Sequence, residues 1–215
     1  MAGILDLLNS STGRQIINGV SNETKQPEDK TGSVITMALP LLMGAMKRNS
    51  HDPKGAAGLL GALSNNKHDG GILDNLGSFF GGGVNEEVKQ DGLGILGHVL
   101  GGSQNNVVGA LSKKSGLDSS SVTQILSVLA PIVLGYLGKQ KRQQNIQSQS
   151  GIEGLLGGML GGGRRVQKKQ QSMIEGLLDG NNDGSVIDDI AGMVLGGGKK
   201  RGGLGGLLGG LFGGR

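Results

Sequence analysis

The chain contains no cysteine, no tryptophan and only four aromatic side chains among its 215 residues. The absence of cysteine excludes a disulfide framework, thiol catalysis and zinc–thiolate sites, and it leaves the redox compartment open. The shortage of aromatic side chains argues against a surface that stacks bases, so nucleic acid is not an expected partner. Glycine is abundant instead, with 45 residues against a usual share of about 7%. A chain of 215 residues can form a core that folds without a metal or a disulfide.

Positive charge is concentrated in the last third of the chain. Residues 1–138 carry 10 Lys/Arg and 11 Asp/Glu, a net charge of −1, whereas residues 139–215 carry 11 and 6, a net charge of +5. Basic clusters separated by Gly–Leu runs fit an anionic surface, whether nucleic acid or lipid. Solvated charges that keep a Gly/Leu-rich tail soluble are the simpler alternative.

Neither a secretory signal nor a membrane span is evident in the sequence. The N-terminus lacks a basic region followed by a long apolar one. The longest apolar runs, 34–46 and 125–137, are about a dozen residues long, whereas a span needs roughly 20. We therefore expect a soluble protein that is cytoplasmic by default, with an envelope association left open.

Helical periodicity dominates the first two thirds of the chain. Apolar residues between Val122 and Leu137 recur at the spacing of an α-helix. This helix is expected to start at Asp118 or at a serine after it, with Gly116 ending the preceding helix. A first long helix is expected from about Glu28 to Arg48. The sequence therefore predicts an all-α fold, a compact multi-helix bundle.

Two proline-bearing segments suggest an internal duplication. SVITMALPLLMGAMKR, around Pro40, and QILSVLAPIVLGYLGK, around Pro131, align without a gap at an offset of 91 residues. An interior proline removes a helix hydrogen bond, so both central helices are predicted to kink. Gly44 and Gly135 lie one turn later and would let the two helices cross closely. The alternative is that any two Leu-rich helices align this well.

Three regions follow from this pattern. The helical core spans residues 1–138, with repeats at about 4–48 and 95–139 and connecting helices in 54–80. A polar linker follows at 139–150, and a basic Gly/Leu-rich tail occupies 151–215. The tail contains too much glycine for good helices, so its isolated segments are expected to be disordered unless a partner or membrane orders them.

The tail contains a candidate calcium loop at 179–189. DGNNDGSVIDD matches the first half of an EF-hand or dockerin-type loop, with oxygen ligands at the first, third and fifth positions and glycine at the sixth. The closing carboxylate is displaced by one residue, which predicts weak affinity, and an ordinary turn is the alternative. The predicted ligands are Asp179, Asn181, Asp183, the carbonyl oxygen of Ser185, and Asp189.

No catalytic set emerges from the titratable residues. His98 lies on an otherwise apolar helix and is interpreted as a core or interface residue. His68 and Asp69 resemble the metal-binding HD pair of phosphohydrolases, but the other ligands of that site are absent. Glu86 and Glu87 fit the first turn of a helix, GGGVNEEVK lacks the lysine of a P-loop, and GxSxG does not occur. The chain is therefore predicted not to be an enzyme.

Several motifs together resemble a bacterial family. ALPLLMGAM, HDGGILDNL, GILGHVLGG, LAPIVLGYLG and DGNNDGSVIDDIAGMVLGG are similar to the domain-of-unknown-function family that includes YidB, in its Bacteroidota-type branch. The resemblance implies an all-helical bacterial protein without an established activity, and it supplies no catalytic residues.

Three functional hypotheses follow. The first is a non-enzymatic helical interaction protein with an unidentified protein partner and a weak calcium loop. The second is an envelope-associated protein whose tail binds anionic lipid or occludes a membrane or secretion channel. The third, and least supported, is an enzyme that uses His98. The oligomeric state is left open.

Overall fold

The computed structural model of the protein describes residues 4–65 and 70–161, and within these ranges it contains helices and no strand. The predicted all-α fold class is confirmed. In chain order the helices are α1 (Ile4–Asn9), α2 (Ser11–Thr24), α3 (Glu28–Ser50), α4 (Pro53–Ser64), α5 (Gly71–Asp74), α6 (Leu76–Gly81), α7 (Glu86–Leu100), α8 (Gln104–Ser115), α9 (Ser119–Gln143) and α10 (Gln149–Gly161), with a 3₁₀ turn at Gly101–Ser103.

The ends of the long helix α9 follow local sequence signals. The Asp118 side chain accepts hydrogen bonds from the Ser121 backbone N–H at 2.9 Å and from its hydroxyl at 2.7 Å, so it caps the first turn. Gly116 ends α8 with a φ of 69°, which a residue without Cβ adopts readily. Both residues therefore have the roles that the sequence predicted.

Helix α9 lies at the centre of the bundle. Its apolar residues from Val122 to Leu137 are almost all buried, including Val128 and Leu134 on its other side. Among the described helices α9 alone is long and apolar enough to span a membrane, but 83% of its most apolar window is buried inside the bundle. That burial is what a core helix shows.

Both interior prolines lie within continuous helices. Pro40 is inside α3 and Pro131 is inside α9. The hydroxyls four residues earlier bond within their own helices, from Thr36 to the Gly32 carbonyl oxygen at 2.8 Å and from Ser127 to that of Gln124 at 2.9 Å. The predicted kinks stay a prediction.

The first half of the bundle (α1–α4) and the second half (α7–α10) each contribute helices that pack against the central helix of the other half. Helices α2 and α4 of the first half pack against α9, and helices α8 and α10 of the second half pack against α3. This exchange is consistent with an internal duplication, which stays a prediction.

Helix α10 corrects one expectation. GIEGLLGGMLGGG was expected to contain too much glycine for a good helix unless a partner or membrane ordered it, yet residues 149–161 form a helix that packs on α3 and α4. Its side chains Ile152, Leu155, Leu156 and Met159 are each at most 3% exposed. Burying each such side chain contributes about 1.5–3 kcal/mol, which outweighs a cost of about 1 kcal/mol per glycine. The bundle therefore continues into the segment that was assigned to linker and tail.

Candidate interaction site

Polar contacts fix α10 at the C-terminal end of α3. The Gln149 side-chain amide donates to the Ser50 carbonyl oxygen at 2.9 Å and to the Glu153 carboxylate at 3.2 Å. The same carboxylate lies 3.7 Å from Nδ1 of His51. The bundle thus holds a Gly/Leu-rich segment by a buried apolar face and a short polar edge.

A concave surface lies between α4 and α7. This surface, the α4–α7 cleft, encloses about 690 Å³. Its floor is formed by Met46 of α3 and Leu134 of α9, which are 1% and 2% exposed. Leu59 and Ile95 line its walls and are only partly buried. The floor is therefore already buried, whereas parts of Leu59 and Ile95 are open to solvent.

Glycines widen the cleft. Gly58 of α4 and Gly94 of α7 both line it, and a Cβ added to either would meet nothing within 4 Å. Because neither residue has a side chain, the backbones of both walls are accessible to an apolar segment.

The rim of the cleft carries polar and charged groups. The amide of Asn49 donates to the carbonyl oxygens of His98 and Val99 at 3.2 and 3.1 Å, which joins the end of α3 to α7. Lys54 and Asp91 also line the opening. An apolar floor with a polar rim is the usual form of a binding site for an amphipathic partner.

His98 lies at this rim and not in the core. It is exposed on α7, and its Nδ1 lies 2.9 Å from the Gly94 carbonyl oxygen. The interpretation of His98 as a core residue is therefore wrong, because it faces away from the apolar stripe of α7. Whether it belongs to an interface stays a prediction.

An ion pair joins α2 to α7 on another side of the bundle. The Lys89 ammonium lies 2.8 Å from Oε1 of Glu23, whose other oxygen accepts the Val84 N–H at 2.8 Å. Burial alone would raise the pKa of Glu23, but the hydrogen bonds from Lys89 and Val84 and the lysine charge lower it overall. The hydrogen bond to Glu23 raises the pKa of Lys89. The pair lines a cleft of about 700 Å³ that is also bordered by α8 and α9.

The remaining candidate residues are dispersed. His51 contacts Glu153 at the end of α3, and Glu86 and Glu87 lie in the first turn of α7 as predicted. In the part of the chain that the structure describes, no three His, Asp or Glu side chains come together in a metal-binding arrangement. The HD pair and the calcium loop, with His68, Asp69, Asp179, Asn181, Asp183, Ser185 and Asp189, lie outside the described residues.

Sequence reasoning missed both the cleft and the docked helix. The cleft forms where four helices meet, so no single segment signals it. Helix α10 did leave a signal, because Ile152, Leu155, Leu156 and Met159 have the spacing of an amphipathic helix. Its glycine content obscured that spacing.

The fold defines an all-α protein that is built around two central proline-containing helices. The chain belongs to the family of bacterial proteins of unknown function DUF937, whose model matches residues 6–140 and 143–215. No curated protein and no solved structure matches the chain significantly.

Proposed function

We propose that the protein is a non-enzymatic helical interaction protein whose α4–α7 cleft binds a Gly/Leu-rich amphipathic segment. The observation that carries this proposal is α10 itself, which is such a segment and is held by α3 and α4. We call a segment α10-type when its apolar residues have the spacing of Ile152, Leu155, Leu156 and Met159, with glycines between them.

The chemistry of the cleft matches this partner. Apolar residues at helical spacing have a place against the exposed parts of Leu59 and Ile95. The glycines of such a segment would allow a close approach to Gly58, because neither backbone carries a side chain at that point.

A labelled peptide with the sequence of residues 149–161 tests the proposal. Its fluorescence anisotropy is measured on titration with the intact chain and with two matched variants of α4, Gly58→Asp and Gly61→Asp. Both glycines are exposed and have open space for a Cβ, but only Gly58 lines the cleft. We expect Gly58→Asp to weaken binding at least about tenfold, since a desolvated charge costs more than 1.4 kcal/mol. Equal binding by both variants would exclude the cleft.

An envelope role is the second candidate, and the net charge of +3 on residues 162–215, which follow α10, favours it. In this proposal the tail lies on anionic lipid or occludes a membrane or secretion channel. Because α10 belongs to the bundle, the informative truncation removes residues 162–215 rather than 139–215. Flotation with anionic liposomes should be lost on this truncation. Equal flotation of both proteins would exclude the tail as the membrane-binding element.

Further parts of the proposal rest on the sequence alone. Weak calcium binding by loop 179–189 would make the tail responsive to calcium. The motifs GILGHVLGG and ALPLLMGAM support placement in the YidB-like, Bacteroidota-type branch of the family. A protein partner or a second copy of the chain would supply the α10-type segment.

A further inference from the structure

The sequence of α10 recurs within the same chain. QSGIEGLLGG, at residues 149–158, and QSMIEGLLDG, at residues 171–180, are identical at eight of ten positions. The identical residues include glutamine, serine, isoleucine and glutamate, so the match does not arise from glycine and leucine alone. The only differences are Gly151 against Met173 and Gly157 against Asp179.

The α10 side chains that contact the bundle recur in the second segment. Ile152, Leu155 and Leu156 are at most 2% exposed against the bundle. Gln149 and Glu153 form the polar edge that contacts Ser50 and His51. The second segment presents the same groups as Ile174, Leu177, Leu178, Gln171 and Glu175.

The α10 site itself is already filled, because α10 of the same chain packs there on α3 and α4. The second segment therefore needs another apolar surface.

We propose that residues 171–180 of the same chain occupy the α4–α7 cleft. This inference rests on the proposed function, because it names the segment that the cleft takes. Ile174, Leu177 and Leu178 would cover the exposed parts of Leu59 and Ile95.

Chain length permits this arrangement. The ten residues from Gly161 to Gln171 reach up to about 35 Å when extended, which is comparable to the diameter of a domain of this size. A short tether also gives an effective concentration in the millimolar range, so even weak affinity fills the cleft. The segment thereby blocks the cleft, and an external partner must displace it.

The absence of cysteine makes a single engineered thiol a clean reporter. Gly58→Cys places a thiol in the cleft, and Gly61→Cys places one beside it on the same helix. The rate of reaction with a small thiol reagent is measured in each full-length chain, with and without Leu177→Asp and Leu178→Asp. We expect those two changes to accelerate the reaction at position 58 by about tenfold, equivalent to about 1.4 kcal/mol. The rate at position 61 should not change.

Three results would overturn the inference. The first is a rate at position 58 that is unaffected by Leu177→Asp and Leu178→Asp. The second is the same acceleration on changing Leu207→Asp and Leu208→Asp, which lie in the terminal Gly/Leu run. The third is protection that disappears on dilution, because the segment would then come from a second copy.

The labelled α10 peptide separates this inference from the proposed function. If the segment blocks the cleft, the chain with Leu177→Asp and Leu178→Asp binds the peptide about tenfold more tightly than the intact chain. If both chains bind the peptide equally and Gly58→Asp weakens that binding, the inference is overturned and the proposed function stands. No binding to either chain overturns the proposed function itself.

Discussion

The backbone of Gly92 lies directly against the carbonyl oxygen of Ser127, where α7 crosses α9. Ser127 is four residues before Pro131, so its carbonyl oxygen is the one that proline leaves without a helical N–H donor. A Cβ at position 92 would overlap this oxygen. One glycine and one proline thus permit a close crossing of α7 and α9.

Replacing Gly92 by alanine should destabilise the bundle by about 1–3 kcal/mol or more, because α7 must move away from α9. The free energy of unfolding in urea measures this. Gly97→Ala on the same helix is the control, since a Cβ there meets nothing within 4 Å. The control should be neutral or stabilising by up to about 1 kcal/mol, the helix propensity gained on replacing glycine. Equal effects of both changes would contradict the close crossing.

The Glu23–Lys89 pair predicts a specific dependence of stability on pH. Because folding lowers the pKa of Glu23, its contribution is complete above about pH 4.3 and is lost as the pH falls through the folded pKa. Folding raises the pKa of Lys89, so its contribution is complete below about pH 10.4 and is lost as the pH rises through its folded value.

Glu23→Gln should therefore reduce stability at neutral pH by about 1–3 kcal/mol, because Lys89 loses its charged partner. The difference from the unchanged chain should shrink below pH 4. Glu86→Gln is the control: its side chain is 72% exposed and lies 3.7 Å from the same lysine, so the change should cost under about 1 kcal/mol. A difference that does not vary with acid pH would exclude the pair as its source.

Helix α10 should contribute to stability like a core helix. Leu156 is 0% exposed, and Leu156→Ala should cost about 2–5 kcal/mol through lost burial and a cavity. Leu160 is 37% exposed, so Leu160→Ala should change stability by about 0.5 kcal/mol or less. Thermal or urea unfolding checks both. Unfolding unaffected by Leu156→Ala would place residues 149–161 outside the cooperative bundle.

Calorimetry tests the loop at 179–189. The intact chain should bind calcium weakly, and Asp179→Ala with Asp183→Ala should abolish the heat of binding, because each change removes a carboxylate ligand. Asp188→Ala is the matched control, since Asp189 rather than Asp188 is the predicted closing ligand. Calcium binding that survives the double change would make the loop an ordinary turn.

Local sequence signals predicted most of the helices. The features that they missed, α10 and the position of His98, depend on contacts between helices. Asp118, Gly116 and the apolar spacing of α9 act within one or two turns, so the sequence alone places that helix. The glycines of α10 lower its local propensity, and only burial against α3 and α4 compensates. His98 was misplaced because an apolar segment does not show which of its residues face the neighbouring helix.

The α4–α7 cleft could not be predicted for a related reason. Its walls and floor come from residues as distant in sequence as Met46 and Leu134. The short motif that we propose to bind there was visible as the repeat of Gln149–Gly158, but its significance depends on the contacts that α10 makes in the structure.

The reciprocal packing of the two halves has a consequence for folding during synthesis. Helix α3 is complete once about 50 residues have been made, but two of the helices that cover it, α8 and α10, follow more than 50 residues later. The part of its apolar surface that these two helices cover must stay exposed in the meantime, or chaperones must protect it. Neither half should therefore form a stable fold when expressed alone. The rate-limiting step in refolding is expected to be the docking of the late helices onto the early ones.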